Sequence, residues 1–115
     1  MLGSGALTVI AEGTDLLAAG TNVLRFFRNE SCGKCVPCRV GSHKAHEMLT
    51  ELIAQGRGAE AVDDERLAEL EETLRLTSIC GLGQVALGPL TSVLGLERGG
   101  AEACEHPKDP EDTEK

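Results

Sequence analysis

The residues best able to do chemistry in this chain are its cysteines. Cys32, Cys35 and Cys38 recur at every third position in Glu30-Ser31-Cys32-Gly33-Lys34-Cys35-Val36-Pro37-Cys38-Arg39, and Cys80 stands far downstream in Ser78-Ile79-Cys80-Gly81-Leu82-Gly83. Three thiolates from one tight loop plus one distant thiolate is a ligand pattern for an iron–sulfur cluster. It suits a cubane, since the loop can wrap three corners and leave the fourth for the distant ligand. Gly33 lets the backbone turn closely around such a core. Free N–H groups at the start of a following helix can donate to sulfur. The competing reading is a structural zinc site with four cysteine ligands. Zinc sites of that kind usually present two CxxC pairs, and here Cys80 stands alone. A disulfide pairing has less support, as does a catalytic thiol, because no cysteine is matched to a base and an orienting residue. Cys104 lies in a polar stretch and reads as an unligated bystander.

The elements that must position these thiols read as helices. Thr14-Asp15 is a helix start, with a capping residue followed by an acid, and the helix runs to about Asn29. Leu16, Leu17, Val23, Leu24 and Phe27 form its inner stripe, and Gly20 interrupts it at a cost of roughly 1 kcal/mol relative to Ala. A second helix begins near Cys38 or Arg39, where Pro37 fits the first turn. Its apolar face is Ala45, Met48, Leu49, Leu52 and Ile53, and Gln55-Gly56-Arg57-Gly58 ends it. His43 and His46, one turn apart on this helix, have no third ligand spaced to complete a metal site and read as surface or supporting residues. After a loop at 59–62, Asp63 or Asp64 caps a third helix, with Leu67, Leu70, Leu74 and Ile79 inward and Glu69, Glu71 and Glu72 solvated. Gly81 is expected to end it in the left-handed conformation. A fourth helix covers Pro89 to Glu97 with Leu90, Val93 and Leu94 inward. The second and third helices, each about 25 Å long at 1.5 Å per residue, are expected to pack antiparallel and so return Cys80 to the level of Cys38.

Composition supports this architecture. The chain has 115 residues, 41% of them hydrophobic, with two Phe and no Trp or Tyr. An aliphatic core of that kind suits packed helices better than a β-sandwich or barrel. The expected fold is therefore all-α, a small four-helix bundle at 14–98. A short N-terminal strand or extended arm precedes it at 1–13, and a disordered acidic tail follows at 99–115. The net charge of −8 argues against a nucleic-acid binder. From Arg25 to His46, however, five cations face the single acid Glu30, a local charge of +4 that leaves −12 for the remainder. Cations so placed can offset the negative charge of a thiolate-bound cluster. No basic signal region or spanning segment is visible, so a cytoplasmic location is expected, peripheral to a membrane only through a complex.

Together, ESCGKCVPCRVG and SICGLG resemble the C-terminal iron–sulfur domain of the flavin-binding 51 kDa subunit of NADH:quinone oxidoreductase. The same domain occurs in the diaphorase subunit of NAD-reducing hydrogenases and in the β subunit of NAD-dependent formate dehydrogenases. The opening Leu2-Gly3-Ser4-Gly5-Ala6 is similar to the segment that precedes it, and the resemblance covers about residues 2–98. It implies a helical bundle carrying one [4Fe–4S] cluster on Cys32, Cys35, Cys38 and Cys80. It also implies a relay of electrons from a flavin mononucleotide, reduced by NADH, to further clusters. The family's glycine-rich flavin and nucleotide loop has no counterpart here. FMN and NAD are thus expected only on a partner chain, beside other iron–sulfur subunits. This chain alone is expected neither to bind flavin nor to oxidise NADH, and it reads as a small subunit or the product of a split gene. The alternative function is a zinc-stapled interaction module without a redox role.

Overall fold

The computed structural model describes residues 8–99, the Arg98 side chain apart. Five α-helices and two short helical turns follow one another: α1 (Leu16–Glu30), a π-helical turn (Pro37–Gly41), α2 (Ser42–Ala54), a 3-10 turn (Ala59–Ala61), α3 (Asp64–Thr77), the one-turn α4 (Gly81–Val85) and α5 (Gly88–Gly99). The four longer helices make the bundle, and no β-strand occurs among the described residues. Of the N-terminal arm, residues 8–11 carry no regular structure and Val9 and Ile10 are exposed. Residues 1–7, the tail from 100 and Cys104 lie outside the described residues.

The first helix begins one residue later than expected. Asp15, not Thr14, is the cap, and its Oδ1 accepts the Ala18 N–H at 2.9 Å. This satisfies one of the four amides that a helix start leaves open. Asp63 does the same for α3, accepting the Arg66 N–H at 3.1 Å, with Asp64 and Glu65 in the first turn where the helix dipole favours them. The C-terminus of α2 closes in a Schellman motif. Gly56 is left-handed (φ +68°), its N–H bonds the Ile53 carbonyl and the Arg57 N–H bonds the Leu52 carbonyl, each at 3.0 Å.

Leu17, Leu24, Ala45, Leu49, Leu67, Leu74, Leu87, Leu90 and Leu94 form one aliphatic core, with Phe27, Met48, Leu52 and Leu70 packed on its edge. Each fully buried Leu contributes roughly 1.5–3 kcal/mol. Three residues expected inside are exposed: Val23, Ile53 and Ile79. On α1 the buried stripe is Leu17, Gly20, Thr21 and Leu24, and Val23 lies about 100° around the helix from Leu24. Ile53 leaves the Ala45–Leu49–Leu52 stripe for the same reason. Ile79 is out because α3 stops at Thr77 and the chain turns away. Val93 is only half-buried, and so is Glu71, which lies within 3.4 Å of the Thr91 hydroxyl. The 59–62 connection is a helical turn that buries Ala59 and Val62.

The third helix returns to the start of the second, as expected, though the closest contacts lie at that end. The main contacts of α1 are with α5 and α2, whereas α3 packs most closely on the π-helical turn that opens the second helical segment, and on α4. Two glycines set these approaches. A Cβ on Gly20 would stand 3.0 Å from Leu90 Cδ1, so this residue is where α5 crosses α1 and not merely a weak spot in a helix. A Cβ on Gly41 would stand 2.3 Å from Leu74 Cδ1, and the bare glycine brings α3 against the π-helical turn. Farther along, an open groove of about 870 Å³ lies between α2 and α3, lined by Met48, Ala54, Leu70 and Thr73 among others.

Candidate metal centre

The end of α1 delivers the cysteine loop. Ser31, extended at φ −61° and ψ 124°, ends the helix, and its Oγ accepts the Gly33 N–H at 3.3 Å. Gly33 turns the chain with φ +74°, a conformation L-residues with side chains rarely adopt. Its carbonyl accepts a hydrogen bond from Arg39 Nη1, which fixes the loop from the other side. Pro37 then opens the π-helical turn that carries Cys38 and Arg39. The expected second helix is therefore wider at its start, and α proper begins at Ser42. Such bulges tend to occur at functional sites, where they re-aim side chains. Ser42 Oγ donates to the Cys38 carbonyl at 2.6 Å within the buried wall of this turn.

The segment bearing Cys80 arrives from α3. Ser78 leaves the helix extended (φ −72°, ψ 140°), so Gly81 is not a left-handed stop. Instead Cys80 takes the N-cap position of α4 and Gly81 its first residue. The Gly81-Leu82-Gly83 stretch is helical, and Gly83 passes close to the loop. A Cβ there would stand 2.5 Å from Ser78 Oγ, 2.6 Å from Ser78 Cβ and 3.0 Å from Cys38 Cβ.

The two cysteine-bearing segments thus meet. Cys38 is buried against Gly83 and Ser78. The Ile79 amide, then that of Cys38, holds the Cys35 thiol below its ordinary pKa by favouring the thiolate, with Arg39 adding to the effect and burial opposing it. Cys32 and Cys80 are exposed at the rim, and all four thiols are free. No three of the described His, Cys, Asp and Glu side chains converge tightly enough to hold a single metal ion. Ser78 Oγ is buried without a hydrogen-bond partner beside Cys38. An orphaned hydroxyl, a glycine cradle, four soft sulfur donors and amides turned toward sulfur fit a bound iron–sulfur group.

Cations surround this end. Arg25, Arg28 and Arg39 direct hydrogen bonds to Asn22, Asn29, His46 and the Gly33 carbonyl, acceptors without net charge. Their positive charge stays available to an anionic group beside them. The histidines do not act as a pair. His43 is exposed, with Nε2 3.7 Å from Glu47 Oε1. His46 Nδ1 accepts from Arg28 Nη1 at 3.1 Å, which places the proton of the neutral ring on Nε2. Ser31, Ser78, Gly41 and Gly83 are the contributors that cysteine spacing did not single out. Their signal is small size next to the ligand motifs, which becomes meaningful only once the packing is known.

Burial first, then Arg28, Arg25 and His43, hold the His46 pKa below the ordinary 6.5. The unfolded chain therefore takes up this proton at higher pH than the folded one, and the contribution to stability has a defined sign. It is complete above about pH 6.5 and is lost as pH falls through the folded pKa. Urea midpoints recorded across that interval will fall with pH in the wild type, and His46→Gln will flatten the slope.

Gly83→Ala gives a second expected result. Ala would gain about 1 kcal/mol of helix propensity, but the collision is with a Cβ fixed to backbone, and overpacking costs about 1–3 kcal/mol. The urea midpoint of the metal-free protein will drop. Gly81→Ala in the same helix, with nothing within 4 Å of its Cβ, will not lower it.

A helical bundle that brings a three-cysteine loop against a distant cysteine segment defines an iron–sulfur-binding class of domain. The chain belongs to the family described as the NADH-ubiquinone oxidoreductase-F iron-sulfur binding region, which it matches over residues 18–98. It is 38% identical over 94 residues to the NADP-reducing hydrogenase subunit HndC of Solidesulfovibrio fructosivorans, covering 82% of this chain and 19% of that protein. With the mitochondrial NADH-ubiquinone oxidoreductase 51 kDa subunit of Neurospora crassa the identity is 37% over 93 residues, covering 81% and 18%. With the mitochondrial NADH dehydrogenase (ubiquinone) flavoprotein 1 of Dictyostelium discoideum it is 30% over 93 residues, covering 81% and 19%. The matched region spans about a fifth of the length of these relatives. Among the described residues no helix is long and apolar enough to cross a membrane.

Proposed function

We propose that Cys32, Cys35, Cys38 and Cys80 hold one [4Fe–4S] cluster, and that the chain relays electrons between a flavin-bearing, NADH-oxidising partner and downstream redox centres. In this reading it is a subunit or fragment of an NADH dehydrogenase-type complex and does not oxidise NADH alone. The observation that carries it is the meeting of the cysteine loop with the 78–83 segment, set by Gly83 against Cys38. A bound cluster supplies one-electron storage. The chain's own residues do the rest: the Ile79 and Cys38 amides favour a thiolate at Cys35, Gly33 supplies the left-handed turn, Gly83 puts no side chain between the segments, and the Arg25–Lys44 cations offset negative charge.

Anaerobic reconstitution with iron and sulfide, followed by metal and sulfide analysis and EPR of the dithionite-reduced protein, tests this reading. Iron and sulfide in equal amounts with a paramagnetic reduced state are expected. A colourless protein that takes up zinc and gives no signal on reduction would overturn it in favour of a zinc-stapled module.

A further inference from the structure

We propose that Ser31 is a positioning residue that sets the reduction potential of the cluster, by donating its hydroxyl hydrogen to Cys38 Sγ. The proposal rests on the cluster-binding reading above. Ser31 Oγ lies 3.2 Å from Cys38 Sγ, and it is the one side-chain hydroxyl with a hydrogen bond to a cysteine sulfur among the described residues. In the free thiol either atom could be the donor. A coordinating thiolate has no proton, so with metal bound the direction is fixed: the serine donates and the sulfur accepts.

Three observations make this contact more than a passing one. The Ser31 oxygen already accepts the Gly33 N–H at 3.3 Å, which leaves its own hydrogen to point elsewhere. Gly33 is itself pinned by its left-handed turn and by Arg39 on its carbonyl, so the hydroxyl sits in a loop braced at both ends. Cys38 is 4% exposed, the most buried of the four thiols, so water competes least for this sulfur. In such a setting a hydrogen bond to a charged group is stronger than at the surface. One-electron reduction adds negative charge that is shared with the coordinating sulfurs. A donor aimed at one of them therefore stabilises the reduced form more than the oxidised form and raises the potential. The exposed Cys32 and Cys80 have water as an alternative donor, and a serine beside either would matter less.

The test is an EPR-monitored redox titration of the reconstituted full chain, with iron and sulfide per chain measured alongside. Ser31→Ala is expected to load normally and to shift the oxidised-to-reduced ratio at fixed potential by about tenfold toward oxidised, or 59 mV for a one-electron couple. Ser31→Thr, which keeps the hydroxyl, is expected to stay at the wild-type potential. A loaded Ser31→Ala at the wild-type potential overturns the proposal and leaves the cluster reading standing. A wild type that loads no cluster overturns the reading itself. If Ser31→Ala does not load, the isosteric pair Ser31→Thr and Ser31→Val decides: equal potentials, or a Val variant that also fails while Thr loads, place Ser31 in folding or assembly and overturn the tuning role.

Discussion

If Cys80 is the fourth ligand, Cys80→Ser will abolish uptake of iron and sulfide on reconstitution, whereas Cys104→Ser will leave it unchanged. Cys80 is the one proposed ligand outside the 32–38 loop, and it sits at the N-cap of a one-turn helix held against that loop by Gly83. Without it, three thiolates from a single loop remain, and the 78–83 segment has no covalent tie to the group. Losing an outer partner of a metal ligand costs roughly 10–100-fold in affinity, and losing a ligand should exceed that. Iron and sulfide per chain after desalting, with the absorbance of the oxidised protein, give the readout. Equal loss in both variants would mean that the fourth ligand is misassigned.

Leu74→Ala will destabilise the protein by about 2–5 kcal/mol, a large share of the roughly 5–15 kcal/mol that holds a domain together. Leu74 is 1% exposed and is the residue through which α3 presses on the π-helical turn. The same contact makes a sharper test possible. Gly41→Ala alone would put a Cβ 2.3 Å from Leu74 Cδ1 and 3.3 Å from Leu74 Cγ, an overpacking worth about 1–3 kcal/mol. In the double variant both atoms are gone, and the nearest remaining neighbour is Leu70 Cδ1 at 3.5 Å, an ordinary contact. The pair will therefore be less destabilised than the sum of the singles, by about 0.5–3 kcal/mol. Urea unfolding of the four proteins measures that coupling, and strict additivity would show that α3 does not meet the turn through these two residues.

Helices and most of their limits could be read from the chain because local signals fixed them. Asp15 and Asp63 cap, Gly56 closes, and leucines repeat at helical spacing. The inward set was right where the stripe was continuous and wrong at its margins: Val23 and Ile53 are apolar but about one residue's rotation off the buried line. Gly81 failed as a stop because a glycine after a helix can equally open the next one when the intervening residues are extended, as Ser78 and Cys80 are. The antiparallel return of the third helix, inferred from equal lengths, is seen where Gly41 admits Leu74, while an open groove lies between α2 and α3 beyond that contact. The cysteines were identifiable from spacing, because ligand chemistry leaves a pattern in sequence. The serines and glycines around them leave none, because their role is to be small at points where distant segments meet.

The crossing at Gly20 has a consequence for the order of folding. Leu90 lies over the early turns of α1, so α1 finds its cover in α5. Contacts between such distant segments close late, because the intervening loop must be ordered before they form. During synthesis, all four proposed ligands emerge from the ribosome before the helix that seals the aliphatic core. A nascent chain would thus present a complete set of thiols while its interior is still open on one side.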